Sequence, residues 1–396
     1  MLYRELGSTG ENVSILGFGA MRLPTLDGQD ANIDYEKTKE LIRYAVDCGV
    51  NYIDTAHPYH SGESERVLGE ILKDGYREKV HLATKLPSWK IQTREDMDLY
   101  LEEQMKRLQT DQIDFYLLHS LKKDYWENLS SLGVLEFLDD AVADGRIKYV
   151  GFSFHDEIDL FFEIIDSYNW DVCQVQYNLV DENYQAGIDG IRYAASQGIG
   201  VMVMEPMRGG ALVNEVPKEV QEIWDEAPVR RTPAEWALRF LWDKKSISTV
   251  LSGMNTFEQL EENLKIADAG LPDSLTEDEL DLVREVRRVY HQRMKVLCTE
   301  CGYCMPCPEG VNIPGNFRYF NGAHMYGDVE NARMNYYGLL TEKERASNCT
   351  RCGECEWICP QMIDIKGTLR EVFKTFEKYI RGYVNWYVKF SVSLQP

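Results

Sequence analysis

From residue 15 to about residue 269, short apolar runs alternate with longer stretches in which apolar residues recur at helical spacing. A short apolar run between turn signals reads as a buried strand, and apolar positions at i, i+3, i+4 and i+7 read as one face of a helix. Eight strands are predicted, at 15–19, 52–55, 80–85, 113–119, 149–153, 172–177, 200–205 and 248–253. Eight helices follow them, at roughly 36–48, 64–73, 94–108, 132–144, 156–168, 186–197, 232–243 and 256–268, often stopped by Gly or Pro. Eight strand-helix units predict an α/β fold, a TIM (β/α)8 barrel. An open doubly wound sheet would want a G-x-G-x-x-G turn after its first strand. Here Gly17-Phe18-Gly19-Ala20-Met21-Arg22 is too short and is soon followed by Pro24.

Ahead of the barrel, 2–6 and 13–16 around Gly7-Ser8-Thr9-Gly10 read as a hairpin capping its bottom. After it, 276–297 reads as a charged amphipathic helix, and from Cys298 the composition changes. The predicted organisation is a barrel over 1–270, a helical linker over 271–297, and a separate, mainly α-helical module over 298–396. The aromatic tail 379–390, with Tyr383, Trp386 and Tyr387, is expected to pack against that module.

That module carries eight cysteines in two ladders. Cys349, Cys352, Cys355 and Cys359, followed by Pro360, reproduce the C-x2-C-x2-C-x3-C-P run of bacterial 4Fe-4S proteins. Cys298, Cys301, Cys304 and Cys307, followed by Pro308, differ by one residue before the last cysteine. In such runs three thiolates of one ladder hold a cluster and the fourth reaches the other. Cys298, Cys301 and Cys304 would then share a cluster with Cys359, and Cys349, Cys352 and Cys355 with Cys307. Zinc is the rival, since paired C-x2-C motifs also suit a tetrahedral site. Two four-membered runs that each end in Cys-Pro favour two 4Fe-4S clusters, and the long spacer resembles the α-helical ferredoxin arrangement. Cys48 and Cys173, outside the ladders, read as buried free thiols.

A formal charge of -22 makes nucleic acid and anionic membrane surfaces poor partners and a basic electron-carrying protein a good one. No run approaches ~20 uninterrupted apolar residues and the start lacks a cleavable apolar segment, so no membrane association and a cytoplasmic location are expected.

Active sites of such barrels lie where the strands end. Asp54, Lys85 and His119 end predicted strands, Tyr59 follows Asp54 in the next loop, and Ser153, Gln174 and Glu205 end later strands. Asp54-Thr55-Ala56-His57-Pro58-Tyr59 with Glu63-Ser64-Glu65, Thr84-Lys85, Leu117-Leu118-His119 and Gln259-Leu260-Glu261-Glu262-Asn263 resemble the aldo-keto reductase family over about residues 1–270. With the cysteine module, the whole chain resembles the iron-sulfur branch of that family. The resemblance implies that Tyr59 is the proton donor, that Lys85 lowers its pKa, that Asp54 fixes Lys85, and that His119 orients the carbonyl oxygen or assists proton transfer. A phenol of pKa about 10 needs such a neighbouring cation to exchange protons near neutral pH.

The same resemblance places Ser153 and Gln174 at a nicotinamide carboxamide, with Asn178 nearby and the backbone of Met21 and Arg22 on the opposite rim. It puts the loop containing Met207 and Gly209 at the pyrophosphate, and Ser252, Gly253, Asn255, Gln259 and Asn263 at the adenosine end. Met204 stands where many relatives carry an aromatic ring, and Phe154 where an Asn is frequent. Asn255 and Gln259 replace the Arg or Lys that selects a 2'-phosphate, leaving NADH and NADPH both open. His57 and His155 are candidates for the substrate mouth, and Trp89, Tyr125, Trp126 and Trp224 suggest an apolar pocket.

The implied function is reversible hydride transfer between NAD(P)H and a carbonyl or alcohol substrate, with the clusters serving electron transfer or structure. The alternative is a non-catalytic redox sensor or electron-transfer protein that uses the barrel as a scaffold. Nicotinamide moves two electrons together and a 4Fe-4S centre moves one. A flavin would bridge that difference, but no sequence feature demands one.

Overall fold

Strand and helix periodicities resolve into alternating elements in the computed structural model, which describes residues 1–396 except 27, 30, 215, 299–303, 360–361 and 379–396. Cys301 and the aromatic tail therefore lie outside the described residues. Two compact units result: Met1–Val213 with Trp224–Asp281, and Asn214–Ile223 with the described residues from Leu282 onward.

The first unit opens with an antiparallel pair, β1 (Tyr3–Glu5) and β2 (Asn12–Ser14). Eight parallel strands follow: β3 (Leu16–Gly19), β4 (Tyr52–Asp54), β5 (His81–Leu86), β6 (Ile113–Leu121), β7 (Ile147–Phe154), β8 (Val172–Gln176), β9 (Gly200–Met204) and β10 (Thr249–Ser252). They close in the order β10-β3-β4-β5-β6-β7-β8-β9, the predicted barrel. Leu16, where the predicted hairpin segment and first barrel strand overlap, belongs to the barrel. Its neighbour Val13 packs with Leu6 against Tyr52, Phe115, Val172 and Met202, so the hairpin seals the end at which the strands begin.

Gly7 sits at the tightest point of that seal, with φ 56°, and a Cβ there would collide with the backbone of Gly198 and Gly200. Gly7→Ala is expected to destabilise the fold by at least about 1–3 kcal/mol, the cost of a left-handed non-glycine residue, before the collision is added. Urea denaturation measures it.

The barrel helices are α1 (Tyr35–Asp47), α2 (Ser64–Ile71), α3 (Arg94–Leu108), α4 (Lys123–Ser131), α5 (Val134–Ala143), α6 (Ile158–Ser167) and α7 (Gly187–Ser196). After them come α8 (Lys218–Asp225), α9 (Pro233–Trp242) and α10 (Phe257–Ala267), then α11 (Glu277–Gln292). Caps explain several starts. Thr93 and Asp96 form a reciprocal capping box on α3, while Thr232 and Thr256 accept from the first-turn amides of α9 and α10. Two helices, α4 and α8, lie in segments that read as loops. Trp126 in α4 faces Trp170 at 6.4 Å, and Trp224 in α8 stacks on Trp236 at 4.6 Å. Those two indoles belong to the helical layer. Cys173 is buried as expected, whereas Cys48, at the end of α1, is exposed.

In the second unit, α12 (Ile313–Tyr326), α13 (Val329–Leu339), α14 (Glu354–Trp357) and α15 (Ile365–Phe376) form the helical module. Asn312 caps α12, and left-handed Gly327 ends it. Phe317, Phe320, Tyr336, Leu369 and Phe376 are among its buried core, and Cys298, Cys304, Cys307, Cys349, Cys355 and Cys359 pack against it. The Tyr336 hydroxyl accepts from the Ala346 amide at 2.9 Å and lies 2.7 Å from Glu377 Oε1, tying α13 to the end of α15.

Candidate active site

Parallel strands deliver their C-terminal ends to one face, and the sequence-predicted residues divide cleanly around it. Asp54, Lys85 and His119 come from the adjacent strands β4, β5 and β6, with Tyr59 in the turn after β4. Ser153 and Gln174, Met207 and Gly209, Ser252 through Asn263, and Met21 and Arg22 belong to or follow β7, β8, β9, β10 and β3, the remaining arc of the ring.

Lys85 is completely buried and spends its three ammonium donors locally: 2.7 Å to each Asp54 carboxylate oxygen and 2.8 Å to the Thr55 carbonyl. Burial draws the Lys85 ammonium below its ordinary range and pushes the Asp54 carboxyl above its own, while their contact opposes both shifts. Behind this pair lies a second buried carboxylate, Glu65 of α2. It accepts from Thr84 Oγ1 at 2.6 Å and Gln104 Nε2 at 2.7 Å, with Arg107 Nη1 at 3.3 Å. Gln104 also donates to the Lys85 carbonyl at 2.9 Å and accepts from the Tyr116 hydroxyl at 2.7 Å, clamping the end of β5 from α3.

Gln104, Arg107 and Tyr116 escaped sequence reasoning. Gln104 had a readable signal, a polar residue in the stripe Met97, Leu101, Gln104, Leu108. His57 joins this support: its Nδ1 lies 3.1 Å from Arg107 Nη1, and burial and that guanidinium push its pKa down to about 4.

The Tyr59 ring centroid lies 5.2 Å from Lys85 Nζ and 6.0 Å from the His119 ring, edge to face with the latter. Burial, then the Asp54 and Glu205 carboxylates, push the Tyr59 phenol well above its ordinary pKa. The lowering expected from Lys85 is therefore not what the structure shows: all three donors of that ammonium are occupied elsewhere, and Asp54 counters its charge. His119 is held neutral, pushed well below its ordinary pKa by burial, then by Lys85, His155 and His57. Its Nδ1 is buried without a hydrogen-bond partner among the described residues. The β6-β7 register shifts between Leu118 and Leu121, and Ser120 turns left-handed, so a bulge sets how His119 is presented. Trp89, 5.2 Å from His119, and Tyr125, 6.5 Å from Trp89, wall this side.

On the other arc, Ser153 and Gln174 are paired in register. Ser153 Oγ accepts from the Ser120 amide at 2.7 Å, and Gln174 Nε2 lies 3.5 Å from Met204 Sδ. The buried Gln174 Oε1 has no partner among the described residues, which leaves an acceptor for the amide of a nicotinamide. Asn178 donates to Asp181 at 2.9 Å, and Arg208 pairs with Asp181 at 2.6 Å. Asn263 Nδ2 donates to Ser252 Oγ at 2.9 Å, and Gln259 Oε1 accepts from the Asn255 amide at 3.0 Å. Gly253 packs beside the Arg22 side chain, Met21 is exposed, and Gly209 is left-handed in the loop after β9. Non-glycine residues in left-handed backbone gather on this face, namely His60, Ser61, Ser120, Gln185, Glu205 and Arg208. Such strain is characteristic of functional sites.

In the helical module, Cys304, Cys307, Cys349, Cys352 and Cys355 line one cavity of about 70 Å³. Left-handed Gly353 turns the chain into α14 and sets Cys352 and Cys355 on either side of it. Cysteine thiols are the ligand type that an iron-sulfur cluster requires, and five of them line this one cavity.

Residues 15–287 match the Aldo/keto reductase family, and residues 297–363 match the 4Fe-4S dicluster domain. The chain belongs to the aldo/keto reductase family and carries a C-terminal 4Fe-4S dicluster domain. Among its relatives is an L-galactose dehydrogenase of Arabidopsis thaliana, 28% identical over 281 residues, covering 66% of this chain and 86% of that protein. Another is an NADH-specific methylglyoxal reductase of Escherichia coli, 23% identical over 328 residues, covering 71% of this chain and 97% of that protein. An aldo-keto reductase from Bacillus halodurans, in its holo form, superposes with a TM-score of 0.61 at 25% identity, over 72% of this chain and 96% of that one. No helix among the described residues is long and apolar enough to cross a membrane.

Proposed function

We propose that the barrel reduces a carbonyl, or oxidises the corresponding alcohol, with NADH or NADPH. The observation that carries this reading is the buried Lys85-Asp54 pair set beside Tyr59 and neutral His119 on three neighbouring strand ends. A bound nicotinamide supplies the hydride. Tyr59, protonated at neutral pH, donates the proton that the carbonyl oxygen needs as charge develops on it. His119, neutral, hydrogen-bonds the same oxygen and fixes its direction, while Trp89 and Tyr125 exclude water. Lys85 and Asp54 balance each other's charge, so the pair presents a fixed dipole to the transition state and need not move. Ser153 and Gln174 hold the carboxamide, the loop through Met207 and Gly209 follows the pyrophosphate, and Ser252, Gly253, Asn255, Gln259 and Asn263 with Met21 and Arg22 border the rest. The test is purification without oxygen followed by a screen of aldehydes and ketones with NADH and NADPH. Consumption of neither by any carbonyl, with dinucleotide bound, would remove the reading.

The module would hold two 4Fe-4S clusters, one on Cys307, Cys349, Cys352 and Cys355 and one on Cys298, Cys301, Cys304 and Cys359. Cys304 and Cys307 of the first ladder line one cavity with Cys349, Cys352 and Cys355 of the second, so the two ladders lie close enough to exchange a ligand, and the ladder spacing assigns Cys307 to the second ladder's cluster. Cys352→Ala is expected to lower iron from about eight to about four per chain. Iron analysis and carbonyl turnover measured on the same preparation then separate structural clusters from electron-carrying ones, and full iron retention would count against this ligand set. A small carbonyl or alcohol substrate and a one-electron protein partner complete the reading, and a barrel of 1–270 followed by a linker of 271–297 and a cluster module of 298–396 remains the proposed organisation.

A further inference from the structure

Glu205 directly follows β9, after Met204, whose Sδ lies 3.5 Å from Gln174 Nε2. Its backbone is left-handed, with φ 55°, and its carbonyl is held by the Arg208 amide at 3.2 Å and approached by Asn178 Nδ2 at 3.5 Å. A non-glycine residue keeps such a conformation only where its surroundings impose it. Two cations of this face are paired with other carboxylates: Lys85 with Asp54, and Arg208 with Asp181. Arg22, a cation of the same face, lies against Gly253 after β10. Glu205 makes no ion pair among the described residues, and its carboxylate acts on both the Tyr59 phenol and the His155 imidazole. A carboxylate with no ion-pair partner among the described residues therefore follows the strand end that carries Met204, beside Gln174.

We propose that Glu205 selects the redox state of the cofactor, making the site bind oxidised nicotinamide more tightly than reduced nicotinamide. The inference rests on the placement of the nicotinamide beside Gln174 and Met204. The two forms share their pyrophosphate, riboses and adenine, so contacts to those parts cancel in the ratio of affinities. They differ by one positive charge on the ring, and a carboxylate close to that ring contributes to the difference alone. Neutral His119 does not offset it, and the Lys85 charge is countered by Asp54. The result is slow release of the oxidised product after reduction, and ready loading for alcohol oxidation.

Wild-type protein, Glu205→Gln, Glu205→Ser and Glu205→Asp are titrated with NAD⁺, NADH, NADP⁺ and NADPH by tryptophan fluorescence. For the pair that binds, the ratio Kd(reduced)/Kd(oxidised) is expected to fall about tenfold in the Gln and Ser variants, the scale of one unit charge across a partly screened cleft. It should persist in the Asp variant. A ratio unchanged in either folded neutral variant, with both forms bound, overturns the role of Glu205 and leaves the hydride reading standing. Wild-type protein that binds none of the four dinucleotides overturns both.

Discussion

Tyr59→Phe is expected to lower kcat for carbonyl reduction by about 10²–10⁴-fold, the usual contribution of a positioned proton donor. Iron content and visible absorbance of the cysteine module should not change. The substitution removes one oxygen and keeps the ring that faces Lys85 Nζ at 5.2 Å and the His119 ring at 6.0 Å. The fold should therefore persist, and the loss should fall on kcat more than on KM. Because the Tyr59 phenol is pushed upward by burial and by Asp54 and Glu205, it stays protonated through neutral pH. Wild-type reduction should then show no decline from Tyr59 ionisation between pH 6 and about pH 10, the ordinary phenol value. If Tyr59→Phe reduces carbonyls at the wild-type rate, the donor is elsewhere, and His119 is the residue to replace next.

The barrel was legible because its strands are buried on both faces and read as apolar runs, while its helices carry one apolar stripe each. Helices α4 and α8 were not, because Lys123–Ser131 and Lys218–Asp225 are short and mostly polar, and each turns an indole inward only through tertiary contacts. Asp54, Lys85 and His119 could be picked out as polar residues closing apolar runs, and their roles came from the family resemblance. What a sequence does not carry is how charges cancel: Lys85 looks like a cation available to Tyr59 until the structure shows it fully engaged by Asp54 and Thr55. Glu205 was visible at a strand end, but that the nearby Arg208 pairs with Asp181 across two loops is seen only in the structure. For the cysteines, spacing named the proposed ligands. That Cys304 and Cys307 line one cavity with the second ladder is seen only in the structure.

Lys85→Met is expected to destabilise the barrel by about 3–5 kcal/mol, the range for removing one partner of a buried ion pair. Methionine fills most of the volume, so the loss is electrostatic. Asp54, only 3% exposed, keeps its carboxylate and loses the cation that opposed its desolvation. Its folded-state pKa, already raised by burial, must then rise further above the unfolded value of about 3.9. A carboxyl whose folded pKa is raised contributes stability that is present below the unfolded pKa and lost as pH rises through the folded one. The variant should therefore approach wild-type stability near pH 4 and fall progressively behind it toward pH 8, as read by urea titrations at each pH. Lys85→Met with Asp54→Asn removes the unpaired charge and should recover most of the stability at pH 8 without recovering turnover. A deficit independent of pH, or no recovery in the double variant, would mean that packing and not charge sets the loss. Recovery of both stability and turnover would show that the pair only braces the fold, and that Tyr59 and His119 perform the reduction without its field.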